Sequence, residues 1–297
     1  MRIGVINTDS GKAVALELGD RWIDASRAWK DYHTHVEGAD APPLAHAGDF
    51  AAAGWMNRSG YRRLTEFVQR HGRLEEYLLP GPHTFAAPVR PGKVIAIGRN
   101  YAKHAKEMGN EIPDEPMFFN KLPDTIIGPG EAIVKESWAG RVDFEGEIAV
   151  MIGVQGRNIA EAEAKEHVAG YTLLNDISAR DLQNKDKDRG HPWTRAKNMD
   201  TFCPVGPVVV FRDALSWPFE EDIETRVNSE VRQQGNTQQF LFPIPRLIAH
   251  VSRYFTLYPG DLIATGTPEG VGPLNGGDVV EVASPGIGVL SNPVVEV

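Results

Sequence analysis

Short apolar runs broken by glycine and proline recur along the chain, and most have the length of a strand rather than a helix. Residues 3–7, 14–18 and 22–24 read as three short strands, followed by a weakly patterned, partly helical stretch over 61–79. Leu79-Pro80-Gly81-Pro82, then Pro88 and Pro91, punctuate the chain before Lys93-Val94-Ile95-Ala96-Ile97-Gly98 opens a new apolar strand. The boundary falls between 80 and 92. It predicts a small N-terminal α+β domain over residues 1–85 and a larger domain over 86–297.

Within the larger part, 147–153, 171–177 and 205–211 read as strands, and the Ala-, Glu- and Lys-rich stretch 161–170 as a helix. Residues 224–235 read as two strands turning near Asn228-Ser229. Ile244, Leu247, Ile248, Val251, Tyr254 and Phe255 follow the spacing of an amphipathic helix over 244–258. Pro243 and Pro245 stand at its start, where a missing N–H does little harm, and Pro259-Gly260 ends it. Strands over 261–266, 278–282 and 294–297 close the chain. Strands outnumber helices, which argues against a regularly alternating doubly wound sheet and for a sheet-rich α+β architecture.

Composition narrows the function. Across 297 residues, 31 Lys and Arg face 40 Asp and Glu, a net charge of −9, and no basic run offers a face for nucleic acid or an anionic membrane. No stretch approaches the roughly 18–20 apolar residues that cross a bilayer. The N-terminus meets Asp9 before any run long enough for a signal peptide. Cys203, the single cysteine, cannot form an internal disulfide and reads as a small buried filler between Phe202 and Pro204. The expectation is a soluble, cytoplasmic protein. The phosphate-binding, dinucleotide-binding, zincin and serine-hydrolase signatures are all missing.

Chemistry concentrates in Val142-Asp143-Phe144-Glu145-Gly146-Glu147, which runs directly into the apolar Ile148-Ala149-Val150-Met151-Ile152. Alternation along a strand would put Asp143, Glu145 and Glu147 on one face. Carboxylates crowded there repel unless solvent or a cation intervenes, and the apolar continuation argues against full exposure. A solvated strand end is the competing account. Asp176, at the end of the apolar strand 171–174, supplies a third acid in a position costly to leave unpaired. Glu145, Glu147 and Asp176 would form an all-oxygen site suited to Mg²⁺, with Mn²⁺ or Ca²⁺ also fitting.

Five blocks, in order, resemble the fumarylacetoacetate hydrolase superfamily over about residues 93–282. They are Gly98-Arg99-Asn100-Tyr101-Ala102-Lys103-His104, Asp143-Phe144-Glu145-Gly146-Glu147, Asn175-Asp176-Ile177-Ser178-Ala179-Arg180-Asp181, the run from Lys197 to Pro207, and Thr265-Gly266-Thr267-Pro268-Glu269-Gly270-Val271-Gly272. The resemblance is to a bacterial-type two-domain member. It implies a mixed β-sandwich roll, a homodimer, and Mg²⁺ or Mn²⁺ on Glu145, Glu147 and Asp176, with Asp143 behind them. Larger eukaryotic members carry a further acid upstream of the His; residues 94–98 here contain none, so water would take that place.

The resemblance also implies roles. His104 and Glu107, neighbours on a short helix, match the family's acid/base dyad on a mobile lid; without it, a lone His on a Lys-rich helix reads as a surface residue. Lys197 would pair with an enolate or a substrate carboxylate. Arg180 and Gln183 would face the metal from one helix side, against the alternative that Arg180 is held in an internal ion pair. Thr267 and Gly266 would donate to a carboxylate, or form only a tight turn. His191 and His250 read as structural, and His33, His35, His46, His71 and His83 receive no role.

The implied activity is Mg²⁺-dependent hydrolysis of C–C bonds in acylpyruvate- or fumarylpyruvate-like β-diketo acids, with water activated by the His–Glu pair. The alternative is an isomerase or decarboxylase of hydroxymuconate-type or oxaloacetate-like acids, as in aromatic catabolism. A sugar-acid dehydratase, a lyase of ureido acids, and a metal-binding scaffold without turnover are further readings. The partner expected is a small dicarboxylate or diketo acid, not nucleic acid or a membrane.

Overall fold

The computed structural model describes residues 1–70 and 74–297, and it is sheet-rich with mixed strand directions, the α+β class read from the sequence. Its central sheet runs, in spatial order, Arg21–Asp24, Gly11–Leu18, Arg2–Thr8, Cys203–Phe211, Val168–Asn175, Gly146–Ile152, Leu262–Ala264, Val94–Gly98 and Met117–Lys121. All these neighbours are antiparallel except Leu262–Ala264 beside Val94–Gly98. A five-stranded sheet orders Glu230–Asn236, Asp222–Val227, Val279–Ser284, Gly288–Glu296 and Ile133–Lys135. A small third sheet joins Ser178–Ala179, Val142–Phe144 and Gly272–Pro273.

The strand Gly146–Ile152 explains its own composition. Ile148, Val150 and Ile152 pack into one core cluster, while Ala149 and Met151 pack into another on the opposite face. A strand covered on both faces reads as a continuous apolar run instead of an alternating one. The helix Ile244–Tyr254 buries Ile244, Leu247, Ile248 and Val251 in the first of these clusters, as its spacing predicts, but it ends before the Pro259-Gly260 expected to stop it, and Tyr254 and Phe255 are exposed. The first residues join the same architecture. Arg2–Thr8 pairs with Cys203–Phe211, and Ile3, Val5, Val14 and Leu16 share a cluster with Val94, Met151 and Val205.

Local differences from the sequence reading have physical causes. The helix expected over 161–170 is one 3₁₀ turn, Glu161–Glu163, and one helical turn, Ala164–His167, before Val168 enters the sheet. A Cβ on Gly170 would meet the Val210 carbonyl oxygen at 2.2 Å, so close strand approach there wins over the helix-forming residues upstream. The helical stretch over 61–79 resolves into Arg58–Arg70 and Leu74–Tyr77; residues 71–73, with His71, lie outside the described residues. The expected turn at Asn228-Ser229 holds, with φ of 51° and 68°, the left-handed pair that suits a two-residue hairpin. No helix among the described residues is long and apolar enough to cross a membrane.

Leu247→Ala should cost about 2–5 kcal/mol, because the side chain is fully buried between helix and sheet. A urea-unfolding midpoint unchanged from wild type would contradict this packing.

Candidate metal centre and active site

Glu145 sits where the chain changes sheets, between Val142–Phe144 and Gly146–Ile152. Gly146 makes the crossing possible, since a Cβ there would lie 2.1 Å from Thr225 Oγ1. Asp176 follows the end of Val168–Asn175. Two hydrogen bonds bring these turning points together: Asp176 N–H donates to the Glu145 carbonyl (2.8 Å), and Glu145 N–H to Asn175 Oδ1 (2.9 Å). Oxygens of Glu145, Glu147 and Asp176 thereby lie within 4.8 Å of one another, all three side chains buried. Asp143 is buried behind them and bound by Arg141 and Arg180.

Cations compensate the cluster unequally. Lys197 Nζ bridges Glu145 Oε2 (2.7 Å) and Asp176 Oδ2 (2.6 Å), and Arg180 binds Glu145, Asp143 and Gln183. Burial alone would raise the Glu145 carboxyl, but Lys197 and Arg180 outweigh it and hold the group well below the carboxylate range. Burial likewise disfavours the Lys197 ammonium, and Asp176 and Glu145 overcome that and keep it charged.

Glu147 differs. Its hydrogen-bond donor is the backbone N–H of Gly266 (2.8 Å), and no cation pairs with it among the described residues. Burial, then the nearby Asp176 and Glu145, push its carboxyl well above the usual range. A buried carboxylate without a cation, next to two others, is the arrangement a divalent ion resolves. The donors are all oxygen, and each carboxylate oxygen keeps acceptor capacity beyond its present hydrogen bond. The residues fit a hard metal ion.

A cavity with about 50 Å³ of space for water opens beside the triad, lined also by Arg99, His104, Phe119, Trp193, Lys197 and Thr267. Phe119 lies 4.9 Å from Lys197 Nζ, ring toward the ammonium. His104 is buried on the short helix Ala102–Glu107; its Nδ1 has no hydrogen-bond partner and lies 3.6 Å from Glu107 Oε2. Both Glu107 oxygens accept the Gly270 N–H at 3.1 Å.

Of the residues assigned a site role from the sequence, all but Glu107 and Gly266 line this cavity, and several are occupied differently. Of the two accounts of Arg180, the ion pair holds: its guanidinium is taken by Asp143 and Glu145, and Gln183 accepts from it. Thr267 does not offer its hydroxyl proton to the cavity, because Oγ1 donates to the Gly146 carbonyl (2.8 Å) and accepts from Gln233 (2.7 Å). The Gly266 N–H is likewise spent on Glu147 and not on a ligand carboxylate. A φ of +99°, and the 2.8 Å from a would-be Cβ to Asn100 Cβ, suit that position to glycine. Of the histidines set aside, His250 is buried against Phe118 and Tyr254, while His191 is exposed 3.8 Å from Asp186. Cys203 is buried, its thiol pushed up to about 12 mainly by burial.

Sequence reasoning missed Lys121. Fully buried at the end of Met117–Lys121, it donates to Asp176 Oδ1 (2.6 Å) and to the Lys197 carbonyl (2.6 Å), tying a triad member to the lysine beside it. A lysine closing the apolar Met117-Phe118-Phe119 was the available signal. Gln233 was missed too; it accepts from the Gly146 N–H and donates to Thr267 and Pro268.

A family model described as fumarylacetoacetate (FAA) hydrolase C-terminal matches residues 93–295. The human protein named oxaloacetate tautomerase FAHD2A, mitochondrial, is 44% identical over 220 residues, which cover 71% of this chain and 69% of that one. The solved structure of 5-carboxymethyl-2-hydroxymuconate delta-isomerase from Mycobacterium smegmatis superposes with a TM-score of 0.73 at 35% identity, over 100% of this chain and 99% of that chain. Fumarylacetoacetate hydrolase from the psychrophilic Exiguobacterium antarcticum gives 0.76 at 33% identity, with both chains covered in full.

Two substitutions test the electrostatics. Mg²⁺ or Mn²⁺ should raise the melting temperature of the wild type. Glu147→Gln should abolish that rise without lowering the melting temperature of the metal-free protein, since it removes a buried carboxylate that lacks a cation. Lys121→Met should lower the melting temperature of the metal-free protein, because Asp176 is left as a buried charge without its lysine; an unchanged melting temperature would rule out that role.

Proposed function

Because the chain belongs to the fumarylacetoacetate hydrolase family, we propose that it is a metal-dependent enzyme acting on small β-dicarbonyl acids by proton transfer at an enolate. Glu145, Glu147 and Asp176 would hold Mg²⁺, with Mn²⁺ as the other candidate. When bound, the ion supplies Lewis-acid polarisation of a substrate's carboxylate and keto oxygens.

The observation that carries the reading is His104. Its Nδ1 is buried, without a hydrogen bond, 3.6 Å from Glu107, and the residue lines the cavity that holds the three carboxylates. An imidazole with a carboxylate close to one ring nitrogen can accept a proton and return it. Lys197, fixed between Glu145 and Asp176, would stabilise the negative charge of an enolate oxygen bound beside the triad.

In the hydrolytic form of the reaction, His104 takes a proton from water. The resulting hydroxide adds to the acyl carbonyl, the C–C bond breaks, and the electron pair leaves as an enolate that is then protonated at carbon. The second reading is tautomerisation or isomerisation, in which His104 moves a proton between carbon and oxygen and no bond to carbon is hydrolysed. The relative named as an oxaloacetate tautomerase and the solved isomerase favour it.

Burial holds the His104 imidazole below the usual histidine range; Glu145 and Glu107 work against that, and Arg180 and Lys197 work with it. The base form therefore prevails at neutral pH, and kcat/KM should fall only as pH drops below about 6.5. His104→Ala should lower kcat about 10²–10⁴-fold on acetylpyruvate or oxaloacetate with Mg²⁺ present. Full activity in that variant would end the proposal. Proton NMR in deuterated water separates the two forms: acetate and pyruvate released from acetylpyruvate mean hydrolysis, whereas faster enol–keto exchange of oxaloacetate without cleavage means tautomerisation.

A further inference from the structure

The cations that bind Glu145 come from two short helices, and one ion pair outside the cavity joins those helices. Arg180 and Gln183 stand on Arg180–Asp188, and Lys197 ends Thr194–Lys197, a single turn. Neither is long enough to be stable without outside contacts. The turn is anchored at its end, where the Lys197 carbonyl accepts from Lys121 Nζ (2.6 Å) and Asn198 donates to the Asn120 carbonyl (3.1 Å). Arg195 anchors it to the other helix. Its guanidinium forks onto Asp186, with Nη2 2.6 Å from Oδ1 and Nε 2.9 Å from Oδ2. Asp186 and Arg195 line a separate surface pocket and not the cavity beside the triad.

Asp186 occupies a costly position. It lies in the last turn of its helix, where the unpaired carbonyls disfavour an anion, and it is 1% exposed. Arg195 is half-exposed, and ion pairs open to water add little net stability. What a bidentate carboxylate–guanidinium contact does supply is geometry, since it fixes an angle as well as a distance. Arg180, Gln183 and Asp186, three residues apart, are the buried residues of their helix. The side that offers Arg180 to Glu145 therefore also offers Asp186 to Arg195. The Asp186 carbonyl accepts the His191 N–H (2.8 Å), which draws in the loop between the two helices as well.

We propose that Asp186 and Arg195 are positioning residues: their fork sets the Lys197 helix against the Arg180 helix and so places the Lys197 ammonium for an enolate bound at the triad. This rests on the reading above, that an enolate forms beside Lys197. It adds a pair that touches neither substrate nor metal and acts through the lysine two residues on.

Calorimetric titration of the Mg²⁺-loaded full chain with oxalate, a planar dianion shaped like the enolate of pyruvate, and with pyruvate, which keeps a neutral keto oxygen, reads the enolate contact as a ratio of affinities without turnover. Arg195→Met should lower that ratio about tenfold. Asp186→Asn should lower it too, Arg195→Lys should recover part of it, and the double variant should be no worse than Arg195→Met alone. Leu247→Ala, destabilised in a core away from the cavity, should keep the wild-type ratio. On a β-dicarbonyl acid that the wild type turns over, Arg195→Met should lower kcat about ten- to a hundredfold and leave KM within about threefold. If Arg195→Met fails to fold by circular dichroism, Arg195→Lys and Asp186→Asn decide on the same ratio. A ratio unmoved in the folded variants, an equal loss in Leu247→Ala, or single losses that multiply in the double variant overturns the inference. A ratio that falls as expected in a chain that turns over no β-dicarbonyl acid supports it and removes the proposed reaction instead. Failure of the wild type to bind either probe overturns the two together.

Discussion

Asp143, Glu145, Glu147 and Asp176 are withdrawn from water together, and each must be matched by positive charge or take up a proton. Arg180, Lys197 and Lys121 match three of them from inside the protein, with Arg141 reaching Asp143 from a half-exposed position. Removing one member of such a buried pair costs roughly 3–5 kcal/mol, because the charge left behind has no solvent to turn to. The cluster therefore constrains everything packed around it. It fixes where the two sheets meet and which lysines enter the interior, and it leaves one carboxylate, Glu147, without a cation partner among the described residues.

The same constraint separates what is rigid from what is replaceable. The triad is built on strand ends and cross-linked through backbone groups: Asp176 N–H to Glu145, Gly266 N–H to Glu147, Gly146 N–H to Gln233. His104 and Glu107 ride on a helix of six residues, tied across to Gly270 by one backbone N–H. Lys187 and Asn110 meet at the cavity rim. The charged floor is thus over-determined, while the walls hang on few contacts. That division suits one scaffold to several related reactions.

Much of this was legible in the chain. The apolar run after Glu147, the acid closing the strand at Asp176 and the spacing of the helix at Ile244 each carry a local signal, and each element formed, though the strand before Asp176 starts earlier and the helix stops earlier than read. What escaped depends on partners distant in sequence. Strand alternation put Asp143, Glu145 and Glu147 on one face, yet the chain changes sheets at Glu145, and the acids converge because Asn175 and Asp176 bind its backbone. Whether Arg180 faces a ligand or an acid cannot be read from its spacing to Gln183. Thr267 looked available because Gln233, which helps immobilise it, lies on a hairpin with no visible link to the turn. Lys121 was passed over for the opposite reason: lysine is seldom fully buried, and although it closes an apolar strand, nothing beside it in the chain announces the distant acceptors it serves.

The change of sheets at Glu145 also bears on how this segment can evolve. Side chains alternate along Gly146–Ile152 between two separate cores, so inserting or deleting a single residue there would exchange the two sets. Glu147 would be driven among isoleucines, and an isoleucine would point at the acids. No gradual route of length change leads through that state, whereas side-chain replacement leaves the alternation untouched. Descendants of this chain should diversify here by substitution alone, with gains and losses of residues confined to the loops around the cavity mouth.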